Sequence, residues 1–148
     1  MRRQAPASCL RFTIRSRARA RGNSALRWSA CAAICRRRRR SCLAARRGAQ
    51  VVFHPHFHES QPGDYQPASF GDPANSFHEK AMLCRAAENN CYFTSVNYAS
   101  AGSPTTSAVV RPDGTLLSYQ PYSKQGLLIA DLDLTAATGL LAARCNYG

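Results

Sequence analysis

Residues 76–97 read SFHEKAMLCRAAENNCYFTSVN, and this stretch, a helix followed at once by a strand, decides the fold class. Ser76 and Glu79 have the spacing of a capping box, in which each side chain accepts a hydrogen bond from the other residue's backbone N–H. A helix should therefore begin at Ser76 and end at the pair 89–90, because Asn suits a helix end. Residues 91–96 are rich in β-branched and aromatic side chains and predict a strand.

Shorter elements precede and follow this pair. Residues 51–53 are apolar and predict a short buried strand, after a helix that closes at Gly48. A turn is predicted at residues 112–114, where proline fixes φ and glycine accepts a positive φ. It lies between two candidate strands, residues 107–111 and 115–119. The sequence therefore predicts a hairpin.

The last part of the chain predicts one more strand and one more helix. Residues 126–134 are mostly apolar, and Thr135 is placed to cap a short helix over 136–144. Because strands and helices alternate from residue 43 onward, the predicted fold class is α/β, a mixed α and β domain with layered packing.

Charge divides the chain into two parts, a leader over residues 1–42 and a domain over 43–148. Residues 1–50 contain fifteen Arg and no Lys, Asp or Glu, whereas all eight acidic residues lie in 51–148. Five adjacent Arg at 36–40 repel one another, so the leader is expected to be disordered. Three alternatives stay open: a tail that binds nucleic acid or another polyanion, an organelle transit peptide, and translation of GC-rich DNA in the wrong frame.

Cysteine usage indicates the compartment. The chain has seven cysteines, none in a C-x-x-C pair, which gives little support to a zinc site. An odd number of cysteines without a secretory signal is typical of reduced thiols, so a cytoplasmic location is expected. Cys84 and Cys91 are expected to be buried as small apolar residues.

No apolar run reaches the roughly 18 residues needed to span a membrane, so membrane binding is not expected. No cofactor is expected either.

Four segments, in this order, resemble the nitrilase superfamily of carbon–nitrogen hydrolases. They are RGAQVVFHP at 47–55, RAAEN at 85–89 with the aromatic strand after it that ends at Asn97, SAVVRPDG at 107–114 and GLLIADLDL at 126–134. The resemblance covers residues 43–143. It implies a four-layer α-β-β-α sandwich, of which this chain would hold the carboxyl-terminal portion. It also implies that the partner is a small amide or nitrile substrate, and it leaves homo-oligomerisation open.

The resemblance further implies a catalytic cysteine, a glutamate base and a lysine. The cysteine attacks the amide or nitrile carbon and forms a covalent intermediate, and the lysine stabilises the developing negative charge. In the family the Glu and the Lys lie upstream of the Cys, yet residues 1–50 contain neither. Cys35 and Cys31 are the alternative nucleophile candidates. The chain alone is therefore expected to be inactive, and a non-catalytic fragment is the second hypothesis.

Three histidines alternate at positions 54, 56 and 58, so in a strand they would share one face and can bind a metal. Pro55 argues against a regular central strand, and the resemblance places the segment beside the substrate pocket without a metal. His54, His56 and Asn97 are therefore the predicted substrate-pocket residues. An ordinary exposed loop is the alternative for the histidine segment.

Overall fold

Two parallel strands joined by a helix form the centre of the fold in a computed structural model, which describes residues 13–16, 38–61 and 63–144. The elements, in chain order, are β1 Thr13–Ser16, α1 Arg38–Arg46, β2 Val51–Pro55, α2 Phe77–Asn89, β3 Tyr92–Val96, β4 Ala108–Val110, β5 Leu116–Tyr119, β6 Ile129–Leu132 and α3 Leu140–Arg144. The protein therefore combines helices and strands in one mixed α and β fold, as its sequence predicts.

The larger sheet has the strand order β2-β3-β4-β5. β2 and β3 run parallel, with His54 opposite Ser95, and α2 makes the crossover between them. β3, β4 and β5 are antiparallel. β1 pairs with β6 in a separate parallel ladder. In the larger sheet the carboxyl ends of β2 and β3 consequently lie side by side.

Side chains alternate between the two faces of the larger sheet, and a separate core covers each face. On one face Val52 and Phe93 pack against the three helices, in a cluster that also holds Cys42, Ala45, Met82, Ala86, Cys91, Val110 and Ala142. On the other face Tyr92 and Val109 pack against residues of the segment 128–137. His54 and His56 have the same parity as Val52 and therefore lie on the helix-covered face.

Most of the predicted elements are confirmed. α2 begins one residue after Ser76, and Asn90 ends it in the left-handed conformation, with φ of 46°. The predicted strand after it is β3, and the predicted hairpin is β4–β5, with Gly114 at φ of 85° in the turn.

The predicted capping box is wrong. Ser76 stands at the N-cap of α2, but its side chain makes no cap hydrogen bond. Glu79 is fully buried, and its carboxylate accepts hydrogen bonds from distant residues instead of from the start of its own helix. The Glu79 carboxylate, which the local pattern assigns to the helix cap, therefore binds donors that lie outside the helix.

The predicted last strand and last helix are both too long. Only Ile129–Leu132 of the predicted strand is paired. Asp133, not Thr135, is the cap: it accepts from the Thr135 backbone N–H at 3.0 Å and begins a single 3₁₀ turn. Gly139, with φ of 65°, then separates this turn from α3, which begins at Leu140.

Two further positions differ from expectation. Cys84 is exposed on α2, whereas Cys91 is buried as predicted. The predicted boundary at residue 43 falls inside α1, and β1 lies within the leader, where Thr13–Ser16 pair with β6.

None of the helices in the described residues is long and apolar enough to cross a membrane.

Candidate functional site

The candidate site is the edge of the larger sheet where β2 and β3 end, here called the carboxyl edge and defined as residues 54–58 and 95–97. Parallel strands bring their carboxyl ends to one edge, and ligands of open α/β sheets bind beyond such ends. The structure brings the three predicted pocket residues, His54, His56 and Asn97, together at this edge.

His56 is fixed by contacts on three sides. Its backbone N–H donates to the Val96 carbonyl at 2.8 Å, and its Nδ1 lies 3.0 Å from the Ser95 hydroxyl. Its ring stacks on His54 with 5.4 Å between ring centres. Nε2 is shielded from solvent and makes no hydrogen bond within the described residues. Burial, followed by the charge that neighbouring histidines would carry, lowers the pKa of His56 to about 4. The imidazole is therefore neutral at pH 7.

Asn97 joins the end of β3 to two loops. Its side-chain Oδ1 accepts from the His58 backbone N–H at 2.9 Å, and its Nδ2 donates to the His58 carbonyl at 3.2 Å. Nδ2 also lies within hydrogen-bonding distance of Ser103 and Thr105. Only 3% of Asn97 is exposed, so the amide holds the backbone of residue 58 in place of a continued strand.

The four histidines of the chain form two ring pairs: His54 with His56, and His58 with His78 at the start of α2, where the ring centres lie 4.5 Å apart. His58 Nδ1 lies 3.2 Å from the Thr105 hydroxyl. Burial, and then the proximity of His58, lower the pKa of His78. Burial thus favours the neutral imidazole in both His56 and His78.

A metal site does not form from these imidazoles in the described part of the chain. No group of three or more His, Cys, Asp or Glu has an arrangement that holds a metal ion there. His58 lies beyond the end of β2 and turns toward Thr105 and His78, so the alternation of the three histidines does not continue through it.

Glu79 is a buried carboxylate that the sequence patterns do not reveal. Its oxygens accept from the Gly71 N–H at 2.8 Å, from the Thr106 N–H at 3.3 Å and from the Tyr122 hydroxyl at 2.9 Å. Burial raises the pKa of Glu79, although these donors act in the opposite direction. No cation lies in salt-bridge distance of Glu79 among the described residues, where Arg85–Glu88 is the ion pair found.

The cysteines that the structure describes do not supply a nucleophile at the carboxyl edge. Cys42 and Cys91 lie in the helix-covered core, and burial raises the pKa of the Cys91 thiol to about 12, so this thiol stays protonated. Cys84 is exposed on α2. The predicted nucleophile candidates, Cys31 and Cys35, lie outside the described residues.

Sequence reasoning missed the residues that position the predicted ones. Ser95 holds the ring of His56, and Ser103 and Thr105 complete the environment of Asn97. The strand pattern contained a signal for Ser95, because residue 95 has the same parity as buried Phe93 and is a polar residue on a buried face. Nothing in the local sequence links residues 103–105 to Asn97.

No family model and no curated protein matches the chain.

Proposed function

We propose that residues 43–148 form the carboxyl-terminal part of a nitrilase-type carbon–nitrogen hydrolase domain, and that the carboxyl edge lines the pocket for a small amide or nitrile. The observation that supports this best is the meeting of His54, His56 and Asn97 at the ends of two adjacent parallel strands. His54 and Asn97 come from two separate segments that resemble the family, His56 directly follows the first of them, and the fold gives the three residues a common location.

The chemistry of the carboxyl edge suits an uncharged polar ligand. At pH 7 His56 is neutral, and Ser95 and Asn97 carry only hydroxyl and amide groups. A charged ligand would lose its hydration beside His56, Ser95 and Asn97 without meeting an opposite charge on these three side chains, which is costly. A carboxamide or nitrile loses less hydration and needs only hydrogen-bond donors and acceptors.

The layered fold suits one half of the sandwich that the resemblance implies. The helices cover one face of the larger sheet, and the other face carries Tyr92 and Val109 against the segment 128–137. We assign the sheet and its helix layer to one α-β half of an α-β-β-α arrangement. β2 is an edge strand of that half among the described residues.

The 148-residue chain is not expected to hydrolyse the ligand by itself. A general base typically contributes about 10²–10⁴-fold, and one charge-stabilising donor about 10²–10³-fold. Residues 1–50 contain no Glu and no Lys. Further along, Lys80 donates to the carbonyls of Pro73 and Asn75, and Glu79 is held by Tyr122 and two backbone amides. Neither side chain therefore acts as the missing base or charge donor.

Activity and binding assays of the purified chain test this proposal. With butyramide and butyronitrile we expect no turnover, and equal baselines in Cys31→Ala, Cys35→Ala and the matched control Cys84→Ala, whose thiol is exposed on α2. Turnover that disappears in Cys31→Ala or Cys35→Ala but persists in Cys84→Ala would refute the inactivity and identify the nucleophile.

The binding measurement is an NMR titration with butyramide. Shift changes are expected at the backbone amides of His56, His58 and Asn97 and at the Asn97 side-chain amide, all of which lie at the carboxyl edge. Changes confined to the β4–β5 hairpin, or no changes at millimolar butyramide, would contradict the assignment of this edge as the pocket.

A second candidate function rests on the charge of the leader. Fifteen Arg without an acidic residue in residues 1–50 favour binding to a polyanion such as nucleic acid. Such binding would weaken steeply as salt concentration rises, because counterions are released from the nucleic acid. Affinity for a DNA oligonucleotide that does not change between low and moderate salt would exclude it.

A further inference from the structure

Two exposed aromatic rings, those of Phe57 and Tyr98, lie where β2 and β3 end and are here called the aromatic pair. Phe57 stands between His56 and His58, and Tyr98 directly follows Asn97. Phe57 is 57% exposed and Tyr98 is 50% exposed, and their ring centres lie 5.2 Å apart. Single apolar side chains on a surface are ordinary, whereas two that contact each other in solvent form a surface that a ligand can cover.

The other exposed rings with ring contacts differ from the aromatic pair. The ring of Phe77 stacks on that of His78, with 4.3 Å between ring centres, and the ring of Tyr119 lies near that of Tyr122. His78 and Tyr122 are both half-buried. Among the described residues, the aromatic pair is therefore the ring contact in which both members are exposed.

Hydrogen bonds between the two segments of chain hold the aromatic pair in place. The His56 N–H donates to the Val96 carbonyl at 2.8 Å, and the Asn97 side chain binds both backbone groups of His58. Residue 57 lies between these two anchored residues, and residue 98 follows the anchoring amide. A ligand that binds to rings already held side by side loses less conformational entropy than one that has to order them.

The planes of the two rings meet at 84°, which is an edge-to-face contact. A third aromatic ring in this corner can stack on one member and meet the other with its edge. We propose that the aromatic pair binds the ring of an aryl amide or aryl nitrile, whose amide or nitrile group lies at the carboxyl edge; this inference rests on the proposed function. Consecutive Cα atoms are about 3.8 Å apart, so a group bound at His56 or Asn97 has its substituent within reach of the pair.

The exposed area of the aromatic pair suits a small ligand better than a second copy of the chain. An aromatic side chain has about 150–250 Å² to bury, so two rings that are about half exposed offer on the order of 200 Å². A stable protein–protein interface buries about 800 Å² on each partner. The aromatic pair is therefore too small to hold a second copy by itself, whereas a single ring of a ligand can cover it.

Charge favours an aryl amide over a nucleotide base as the stacking partner. The two segments that carry the pair, residues 51–61 and 91–103, contain no Lys and no Arg. The phosphates of a stacked nucleotide would therefore meet no cation in these segments, although phosphate contacts supply much of the affinity for nucleic acids. An uncharged aryl amide needs no such partner.

An NMR titration of the 148-residue chain with benzamide and with butyramide tests the inference. Both ligands carry a carboxamide, but only benzamide has a ring, and one aromatic contact strengthens binding by up to about tenfold. We expect benzamide to bind about tenfold more tightly than butyramide and to shift the ring resonances of Phe57 and Tyr98 as well as the backbone amides of residues 56–58.

Four outcomes of the titration would overturn the inference. If butyramide shifts the amides of the carboxyl edge and benzamide binds no more tightly, the inference fails and the proposed function stands. If neither ligand binds at this edge, both fail. Ring resonances of the pair that shift with protein concentration alone would show that a second copy covers it. Shifts with a single-stranded oligonucleotide but not with benzamide would assign the pair to a nucleic acid.

Leucine substitutions separate aromatic stacking from apolar area. Phe57→Leu and Tyr98→Leu keep an apolar side chain without a ring, so each should reduce the preference for benzamide over butyramide by about threefold or more. Tyr119→Leu is the matched control, because Tyr119 is 37% exposed on β5, at the opposite end of the strand order from β2, and it should keep the preference.

The preference is a ratio of two affinities within one variant, so a general loss of affinity does not change it. A preference that survives in both Phe57→Leu and Tyr98→Leu would overturn the inference. The same conclusion would follow if Tyr119→Leu removed the preference to the same extent.

Discussion

Two buried polar junctions hold the loops of this protein, and they differ in charge. At the Asn97 junction a neutral amide both donates and accepts, and it binds both backbone groups of His58. At the Glu79 junction a carboxylate only accepts, and it needs three donors from Gly71, Thr106 and Tyr122. The amide is satisfied without a charge, whereas burial raises the pKa of Glu79. Both junctions hold a loop, but stability depends on pH only at the Glu79 junction, because only that side chain can ionise.

The largest effect is expected from Asn97→Ala. The substitution leaves the His58 N–H and carbonyl and the Thr105 carbonyl without the amide that pairs with them, and should lower the free energy of unfolding by about 3 kcal/mol. Urea denaturation measures the change. The matched control is Asn89→Ala, because Asn89 is equally buried but its side chain donates to one carbonyl, that of Arg85, and should cost about 1 kcal/mol. Equal costs would show that the Asn97 junction is not special.

Glu79→Ala should lower the free energy of unfolding by about 2 kcal/mol at low pH, because two backbone N–H groups lose their acceptor. The folded carboxyl has a raised pKa, so the folded state holds this proton more tightly than the unfolded state. The contribution of Glu79 is thus complete below about pH 4.5 and decreases as pH rises through the raised value. The cost of Glu79→Ala should accordingly be smaller at pH 7.5 than at pH 4.5, whereas the Asn97 amide does not titrate.

A partly exposed carboxylate provides the control for Glu79. Glu88 pairs with Arg85 at 2.8 Å along α2, and Glu88→Ala should cost less than about 0.5 kcal/mol. If Glu79→Ala were as mild as Glu88→Ala at every pH, burial of the Glu79 carboxylate would not matter to stability.

Tyr122→Phe removes one donor from the Glu79 junction. The hydroxyl lies 2.9 Å from both carboxylate oxygens, and its loss should lower the free energy of unfolding by about 1 kcal/mol. It should also raise the pKa of Glu79 further, because a donor that favours the ionised form is gone. Tyr119→Phe is the control, since the Tyr119 hydroxyl makes no hydrogen bond within the described residues and its loss should change stability little. NMR titration of the Glu79 side-chain carboxyl detects the pKa change.

Local patterns predicted the elements whose determinants are local. The Asn90 helix end and the turn at Gly114 depend on the conformational freedom of a single residue, and both were predicted correctly. The location of His56 and Asn97 at one edge of the sheet was also predictable, because each follows one of two paired parallel strands. Glu79 was misassigned because a capping pattern cannot show that Gly71, Thr106 and Tyr122 compete for its carboxylate. Such competition depends on contacts between segments distant in sequence.

The smallest effect is expected from Ser76→Ala, and its smallness tests why the capping box failed. An N-cap side chain that makes its hydrogen bond typically contributes about 1 kcal/mol, but the Ser76 side chain makes none. The substitution should therefore change the free energy of unfolding by less than about 0.5 kcal/mol. Asp133→Ala is the matched cap that does bond, because its carboxylate accepts from the Thr135 N–H, and it should cost about 1 kcal/mol. A cost for Ser76→Ala as large as that for Asp133→Ala would mean that Ser76 caps α2 in solution. That bond would run from the Glu79 backbone N–H to the Ser76 hydroxyl, so half of the capping box would form while the Glu79 carboxylate kept its three donors.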